Sequence, residues 1–241
     1  MKMVAFARRN GKEMLRDPLT LFFGIGFPVV LLGLLSLIGR NAPVELFRIG
    51  RLAPGVAAFG FSFLALFSAM LVSKDRGSAL MMRLRTSPLA AKDFILGYAL
   101  PLIPMAAAQS AVCFAFALAL GLEWSWNIVL SILVLLPAAL IYIAMGLICG
   151  SIFNDKQVGG VCGALLTNLT AWLSGVWFEL ELVGSGFARA ARILPFANIV
   201  DCARGALAGE LPAVPFIITC GYAVVLSALA VRIFAGRMRR A

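Results

Sequence analysis

Histidine is absent from the sequence, and this absence limits the chemistry that the chain can perform. Histidine is the commonest side-chain base near neutral pH and the commonest metal ligand. The five cysteines share no CxxC spacing and have no histidine beside them to complete a zinc or haem site, so we expect them to be small core residues. A serine or cysteine nucleophile would also lack its base. The composition therefore argues against an enzyme and against a bound metal.

The chain also lacks the glycine-rich phosphate loop GxxxxGK(S/T), the usual means of holding nucleotide phosphates. We expect no cofactor to be bound by this chain, so energy from ATP would have to come from another subunit. Acidic residues are few, 11 against 21 Lys and Arg. The basic residues fall in short clusters between apolar runs, where they suit a membrane surface and not nucleic acid. Nucleic-acid binding is therefore discarded.

Charge is missing from six long apolar runs, which dominate the sequence. The chain is 62% hydrophobic with a mean hydropathy of +0.98, values that exclude a water-soluble fold. Each run can cross about 30 Å of hydrocarbon as a helix, because a helix satisfies its own backbone polar groups in lipid. Spans are predicted at residues 18–39, 52–73, 94–122, 127–154, 157–178 and 211–231. The third is long enough for one tilted or kinked span, and it contains Pro101 and Pro104. Coupling to protons or sodium is disfavoured, since it usually places charge inside the membrane.

Residues 1–17 form a basic segment before the first predicted span. A helical projection separates its basic residues from an apolar face that consists of Met3, Val4, Ala7, Met14 and Leu15. This division predicts an amphipathic helix in the membrane interface and disfavours a plain basic tail. Because no short apolar segment with a cleavage site follows closely, we expect the segment to be retained.

The distribution of basic residues predicts the orientation of the chain. With the N-terminus inside, the inner segments hold fifteen Lys and Arg and the outer segments hold six. Positive charge concentrates on the cytoplasmic side, so both termini are predicted to be cytoplasmic, in a multi-pass protein of the cell membrane. Trp124, Trp126 and Trp177 then fall at the outer interface, as aromatic belts do.

The longest outer segment, residues 179–210, is partly apolar but too interrupted to cross the membrane. Its apolar residues require burial; they are Ile193, Leu194, Phe196, Ile199, Val200, Ala203 and Leu207. A re-entrant hairpin that dips into the outer leaflet fits this pattern, and an amphipathic helix lying on the surface fits it equally well.

The inner segment between the second and third spans, residues 74–98, carries five basic residues and a short amphipathic pattern. From residue 77 to residue 87, Leu80, Met81 and Leu84 share one helical stripe with arginines on both sides, and Pro88 ends the pattern. Such a helix can lie on the membrane or dock into a groove of a soluble partner. The charges alone have a simpler interpretation, because positive residues orient neighbouring spans without any pattern.

The order of motifs in this segment resembles the loop after the second span in permeases of type-two ATP-binding-cassette (ABC) exporters. The resemblance rests on KDRG at 74–77, RLRTSPL at 83–89 and DFILGY at 93–98. It implies that this loop is a cytoplasmic coupling helix that contacts the ATPase. The implied contact residues are Gly77, Leu80, Met81, Arg83, Leu84, Arg85 and Ser87. Many members of the family carry an acidic residue where this chain has Arg76.

The resemblance extends to the whole chain, which is interpreted as one transmembrane permease domain over residues 1–241. It implies two ATPase subunits, which bind ATP and Mg, and a second permease copy or a sister permease. Small and polar residues of the second and fifth spans would line the substrate path or dimer seam; they are Ser62, Ser68, Gly160, Gly163, Thr167 and Asn168. Packing within one subunit explains the small residues equally well.

The sequence thus predicts an all-α membrane protein with six spans, an interfacial helix, a coupling helix and an outer re-entrant hairpin. The expected function is that of the membrane-spanning subunit of an ABC exporter, and the absence of charge in the spans suggests a hydrophobic or amphipathic substrate such as a drug, peptide or lipid-like molecule. The alternative is a non-transporting six-span scaffold or sensor that recruits a soluble partner through the same loop.

Overall fold

The computed structural model describes residues 2–41, 45–78 and 91–240, and these residues contain helices and no strands. The helices are α1 (Lys2–Arg16), α2 (Pro18–Asn41, with a π-helical turn at Phe22–Gly26), α3 (Ile49–Arg76), α4 (Ala91–Ala99), α5 (Leu102–Ala119), α6 (Asn127–Ile152), α7 (residues 155–173), α8 (Ser185–Ile193), α9 (Pro195–Ala208) and α10 (Ala213–Arg240). Short 3₁₀ turns lie at Glu45–Phe47 and Leu180–Leu182. The predicted all-α class is confirmed for this part of the chain.

Five helices of the described residues are long and apolar enough to cross a membrane. They are Pro18–Asn41, Ile49–Arg76, Asp93–Ala119, Asn127–Ile152 and Ala213–Arg237, and they match five of the six predicted spans. The other predicted span, 157–178, corresponds to α7, which has a π-helical middle at Gly159–Leu166 and ends at Leu173. Polar residues at its start, among them Asp155 and Lys156, reduce its apolar length. The count of six therefore stays a prediction.

Helix α3 lies at the centre of the fold. In the most apolar stretch of α3, 83% of the residues are buried, against 22% in α2 and 17% in α10. Its main neighbour is α6, and the two backbones approach closely at Gly146 and Gly150 of α6. A Cβ on Gly146 would overlap Ser68 Oγ and the Ala65 carbonyl, so only glycine permits this contact.

Two prolines set the ends of helices beside α1. Pro18 is the first residue of α2, and the preceding Asp17 caps it by accepting from the Leu19 amide at 3.2 Å. At Pro101 the third predicted span breaks into α4 and α5, because proline cannot continue the hydrogen-bond ladder. Pro101 is one of the two prolines of this predicted span, and the other, Pro104, lies inside α5.

The buried face of α1 differs from the predicted apolar face. Of the residues on that apolar face, Ala7 and Met14 are buried within the chain, whereas Val4 is 56% exposed and Leu15 is 69% exposed. Phe6 and the polar Asn10 are buried instead, where α1 packs on α4. The exposed side chains of Val4 and Leu15 are free to contact the membrane interface, and the interfacial position of α1 stays a prediction.

The outer segment folds into α8 and α9, which are separated by a break at Leu194. Helix α9 packs against α3, α6 and α10, and it buries four of the predicted residues, Phe196, Ile199, Val200 and Ala203. Ile193 was predicted to be buried but is 69% exposed at the end of α8. Whether this pair of helices enters the bilayer stays a prediction.

Candidate functional site at the base of the 79–90 segment

The predicted coupling residues fall mostly outside the described part of the chain. Leu80, Met81, Arg83, Leu84, Arg85 and Ser87 all lie within residues 79–90, which the structure does not describe. Gly77 is described: it caps the end of α3, and its amide donates to the Ser73 carbonyl at 3.3 Å. The candidate site is therefore defined by the two ends of this segment, the last turns of α3 and the start of α4.

A buried carboxylate anchors the last turn of α3. The side chain of Asp75 is 5% exposed, and its Oδ2 accepts from Arg9 Nη1 at 2.8 Å and from the Tyr98 hydroxyl at 3.0 Å. Arg9 lies on α1 and Tyr98 on α4. An ion removed from water requires such partners, because a buried charge without them is costly. One carboxylate thus joins α1, α3 and α4 in the last turn of α3, just before the 79–90 segment.

Neighbouring contacts strengthen the junction between α1 and the rest of this site. Asn10 Nδ2 donates to the Gly97 carbonyl at 3.1 Å, and both groups are buried. A side chain at Gly97 would overlap the Phe6 ring, so glycine permits the close approach of α1 to α4. Glu13 accepts from Arg9 at 2.8 Å and lies 3.7 Å from Lys74 Nζ, but these side chains are partly exposed and each pair contributes little.

The opposite side of α3 is anchored to α6 and α7. Arg76 Nη1 donates to the Gly150 carbonyl at 2.7 Å, and so satisfies a carbonyl in the last turn of α6. Ser73 Oγ donates to Asp155 Oδ1 in the first turn of α7. Around the base of the 79–90 segment, α3 is therefore hydrogen-bonded to α1, α4, α6 and α7.

We call this set of contacts the loop base: Arg9, Asn10, Glu13, Ser73, Asp75, Arg76, Tyr98 and Asp155. It contains no arrangement for bond-making chemistry, and no cluster of three or more potential ligands close enough to hold a metal ion occurs in the described ranges. The loop base connects helices. Gly77 caps α3, and the last turns of α3 are hydrogen-bonded to four other helices.

The residues predicted to line a substrate path separate into two groups. Ser62 and Ser68 are fully buried inside the chain, and Ser68 Oγ donates to the carbonyls of Ala65 and Ile143 at 3.0 and 3.2 Å. This burial favours the alternative role, packing within one subunit. The other group lies on α7, where Gly160 and Asn168 are exposed and Gly163 and Thr167 are half-buried.

The sequence reasoning missed several residues of the loop base and of the central packing. Arg9 was counted only as a surface charge, and Tyr98 only as part of the DFILGY motif. The GxxxG spacing of Gly146 and Gly150 signals a close helix approach, and it was available in the sequence.

A second charged network lies at the other end of α3. Arg192 bridges Glu181 at 2.9 Å and Asp201 at 3.1 Å, and this hydrogen bond lowers the pKa of Glu181. Arg204 Nε donates to the Arg51 carbonyl at 3.1 Å, while burial lowers the pKa of Arg204 to about 10. Arg51, Asp201 and Arg204 line a groove of about 800 Å³. The central helix is thus held by polar contacts at both ends.

Comparison with protein families agrees with this architecture. Residues 1–208 match the family described as ABC-2 type transporter. No curated protein matches the chain. Because the matched region covers most of the sequence and contains the loop base, the chain belongs to the ABC-2 type transporter family, as a membrane subunit of a transporter.

Proposed function

We propose that the chain is the membrane-spanning subunit of an ATP-driven exporter, which moves a hydrophobic or amphipathic substrate out of the cytoplasm. The family normally works with an ATPase partner. The observation that supports the proposal is the loop base, which joins the last turns of α3, just before residues 79–90, to four other helices. Two separate ATPase subunits would bind ATP and Mg, and residues 77–87 would form the coupling helix.

The loop base supports a transmission route for the movement of the ATPases. A force on Gly77 would displace the last turn of α3. Asp75 would transmit this displacement to α1 through Arg9 and to α4 through Tyr98. Arg76 passes it to α6 through the Gly150 carbonyl. Since buried, hydrogen-bonded helices shift as units, closure of the ATPases would reorient the helices together.

The exposed surface of α7 supports assembly with a second permease copy or a sister permease. Asn168 is exposed on this surface, and its amide donates only locally, to the Ala164 carbonyl at 2.9 Å. An amide facing hydrocarbon without further partners is unfavourable. A Cβ at Gly160 would meet no atom within 4 Å, which leaves room for another helix to approach. The substrate would then pass between the two permeases.

The substitution Leu84→Asp tests the proposal. It leaves the apolar helices untouched, so the protein should insert normally. A carboxylate on the predicted Leu80/Met81/Leu84 stripe would have to be desolvated in the partner's groove, which costs several kcal/mol when the charge is unpaired. We expect loss of ATPase co-purification and of efflux from vesicles. Arg85→Gln is the control, because a charge at the rim of an interface mainly changes association rate and salt dependence.

If Leu84→Asp assembles and exports like the parent chain, the segment only orients the spans and the coupling proposal fails. If the chain binds a soluble partner that hydrolyses no nucleotide, the scaffold interpretation replaces it.

A further inference from the structure

An open groove of about 1190 Å³ lies along α1, and Lys74 of α3 also lines it. Its walls are rich in cationic side chains. They are Arg8, Arg9, Lys12, Arg16 and Lys74, against two acidic residues, Glu13 and Asp17.

Both acidic residues already have partners within the protein. Glu13 bridges Arg9 and Lys74, and Asp17 caps α2 while accepting from the Thr20 hydroxyl at 2.6 Å. The remaining cations, Arg8, Lys12 and Arg16, are exposed and have no ion-pair partner among the residues that the structure describes. They recur every four residues, so they lie in one row along α1 and repel one another. An anion from outside the protein would offset this repulsion.

The row lies beside the ends of two predicted spans. α1 is followed directly by the capped start of α2, and Lys74 lies near the end of α3, so two predicted spans enter the membrane beside the groove. The exposed apolar side chain of Val4 lines the groove itself. Leu15, next to Arg16, lines an adjoining apolar pocket of about 280 Å³ that extends to Pro101 and Met105.

We propose that the row formed by Arg8, Lys12 and Arg16 binds the phosphate headgroup of an anionic phospholipid, with an acyl chain against the apolar pocket at Leu15. Guanidinium and ammonium groups are the side chains that recognise phosphate, and the border of cationic and apolar surface matches a lipid at the interface. The site lies on α1 and needs neither nucleotide nor ATPase, so it is independent of the proposed transport function.

The experiment measures lipid selectivity in reconstituted protein. The purified chain is placed in phosphatidylcholine vesicles, and the motionally restricted fraction of spin-labelled phosphatidylglycerol is compared with that of spin-labelled phosphatidylcholine. The parent should prefer phosphatidylglycerol, and 0.5 M salt should weaken the preference because screening shortens the range of the attraction. The triple variant Arg8→Gln, Lys12→Gln, Arg16→Gln should lose the preference, because the selectivity for phosphatidylglycerol should fall about fivefold for each charge removed. Lys12→Gln alone should reduce the preference for phosphatidylglycerol about fivefold.

The matched control removes three exposed cations elsewhere, through Lys156→Gln, Arg232→Gln and Arg237→Gln, and it should keep the preference. Circular dichroism confirms that all variants retain the helical fold. Equal loss in the control would show general surface attraction, and unchanged selectivity in a folded triple variant would show that the row binds no lipid; both overturn the proposal. Displacement of phosphatidylglycerol by 10 mM inorganic phosphate would assign the row to a free anion and overturn the lipid assignment.

Discussion

Neutralising Asp75 is the most direct test of the loop base, and its effect can be separated into pairwise contributions. Asp75→Asn keeps the shape of the side chain and leaves an acceptor for the Tyr98 hydroxyl, but it removes the charge that faces Arg9. Combined with Arg9→Gln, it completes a double-mutant cycle for the Arg9–Asp75 pair. A second cycle joins Arg9→Gln with Glu13→Gln.

The structure sets the expected coupling energies. Breaking a fully buried pair costs about 3–5 kcal/mol, and an exposed pair contributes about 0.2–1 kcal/mol. The Asp75 side chain is 5% exposed but Arg9 is 40% exposed, so we expect an intermediate coupling of about 1–2 kcal/mol. For Arg9–Glu13, a pair one helical turn apart with exposures of 40% and 32%, we expect about 0.3–0.5 kcal/mol.

The assay is unfolding by dodecyl sulfate in mixed micelles, followed by tryptophan fluorescence. In vesicles with the ATPase, Asp75→Asn should also slow transport more than Glu13→Gln, because only Asp75 joins α3 to both α1 and α4. Equal coupling in the two cycles, or a value for Arg9–Asp75 below about 0.5 kcal/mol, would refute the view that this carboxylate holds the junction.

Three further predictions concern packing, pH and orientation. Gly146→Val should destabilise the chain by about 1–3 kcal/mol in the same unfolding assay, because its side chain would overlap α3. Gly160→Val should keep the stability of the parent and weaken only the cross-linking of two copies. Burial raises the pKa of Asp201 above its value in the unfolded chain, so the native state binds the proton more tightly. The stability of the chain should therefore fall as the pH rises from the unfolded pKa through the folded pKa. Asp201→Asn should flatten this dependence of the unfolding midpoint on pH. Arg85→Cys, in a background without native cysteines, should react with an impermeant thiol reagent only after the membrane is opened, and labelling of intact cells would reverse the predicted topology.

The helices that the sequence predicts well are those whose length and hydropathy decide the outcome locally. The second run became α3 with a few extra residues at each end, and the third run is interrupted at Pro101, one of its two prolines. The fifth run was harder, because the polar residues from Asp155 onward and the π-helical turn at Gly159–Leu166 alter a span that was counted only by the absence of charge.

The loop base shows why the remaining features could not be predicted. The motifs at 74–77 and 93–98 indicated a functional loop, and the structure places Asp75 and Tyr98 from these motifs in one hydrogen bond. Arg9 is 66 residues away from Asp75 in the sequence, and no local pattern distinguishes it from Arg8. The pairing depends on how α1 packs on α4, and this packing depends on the absence of a side chain at Gly97.

The polar contacts at both ends of α3 constrain the length of this helix as well as its position. Arg51 belongs to the outer network and Asp75 to the inner one, with an unbroken helix between them. Because each helical residue turns the chain by about 100° and advances it by about 1.5 Å, inserting or deleting one residue in α3 would aim one end away from its partners. Across evolution, α3 should therefore accept exchanges of its apolar side chains far more readily than any change in their number.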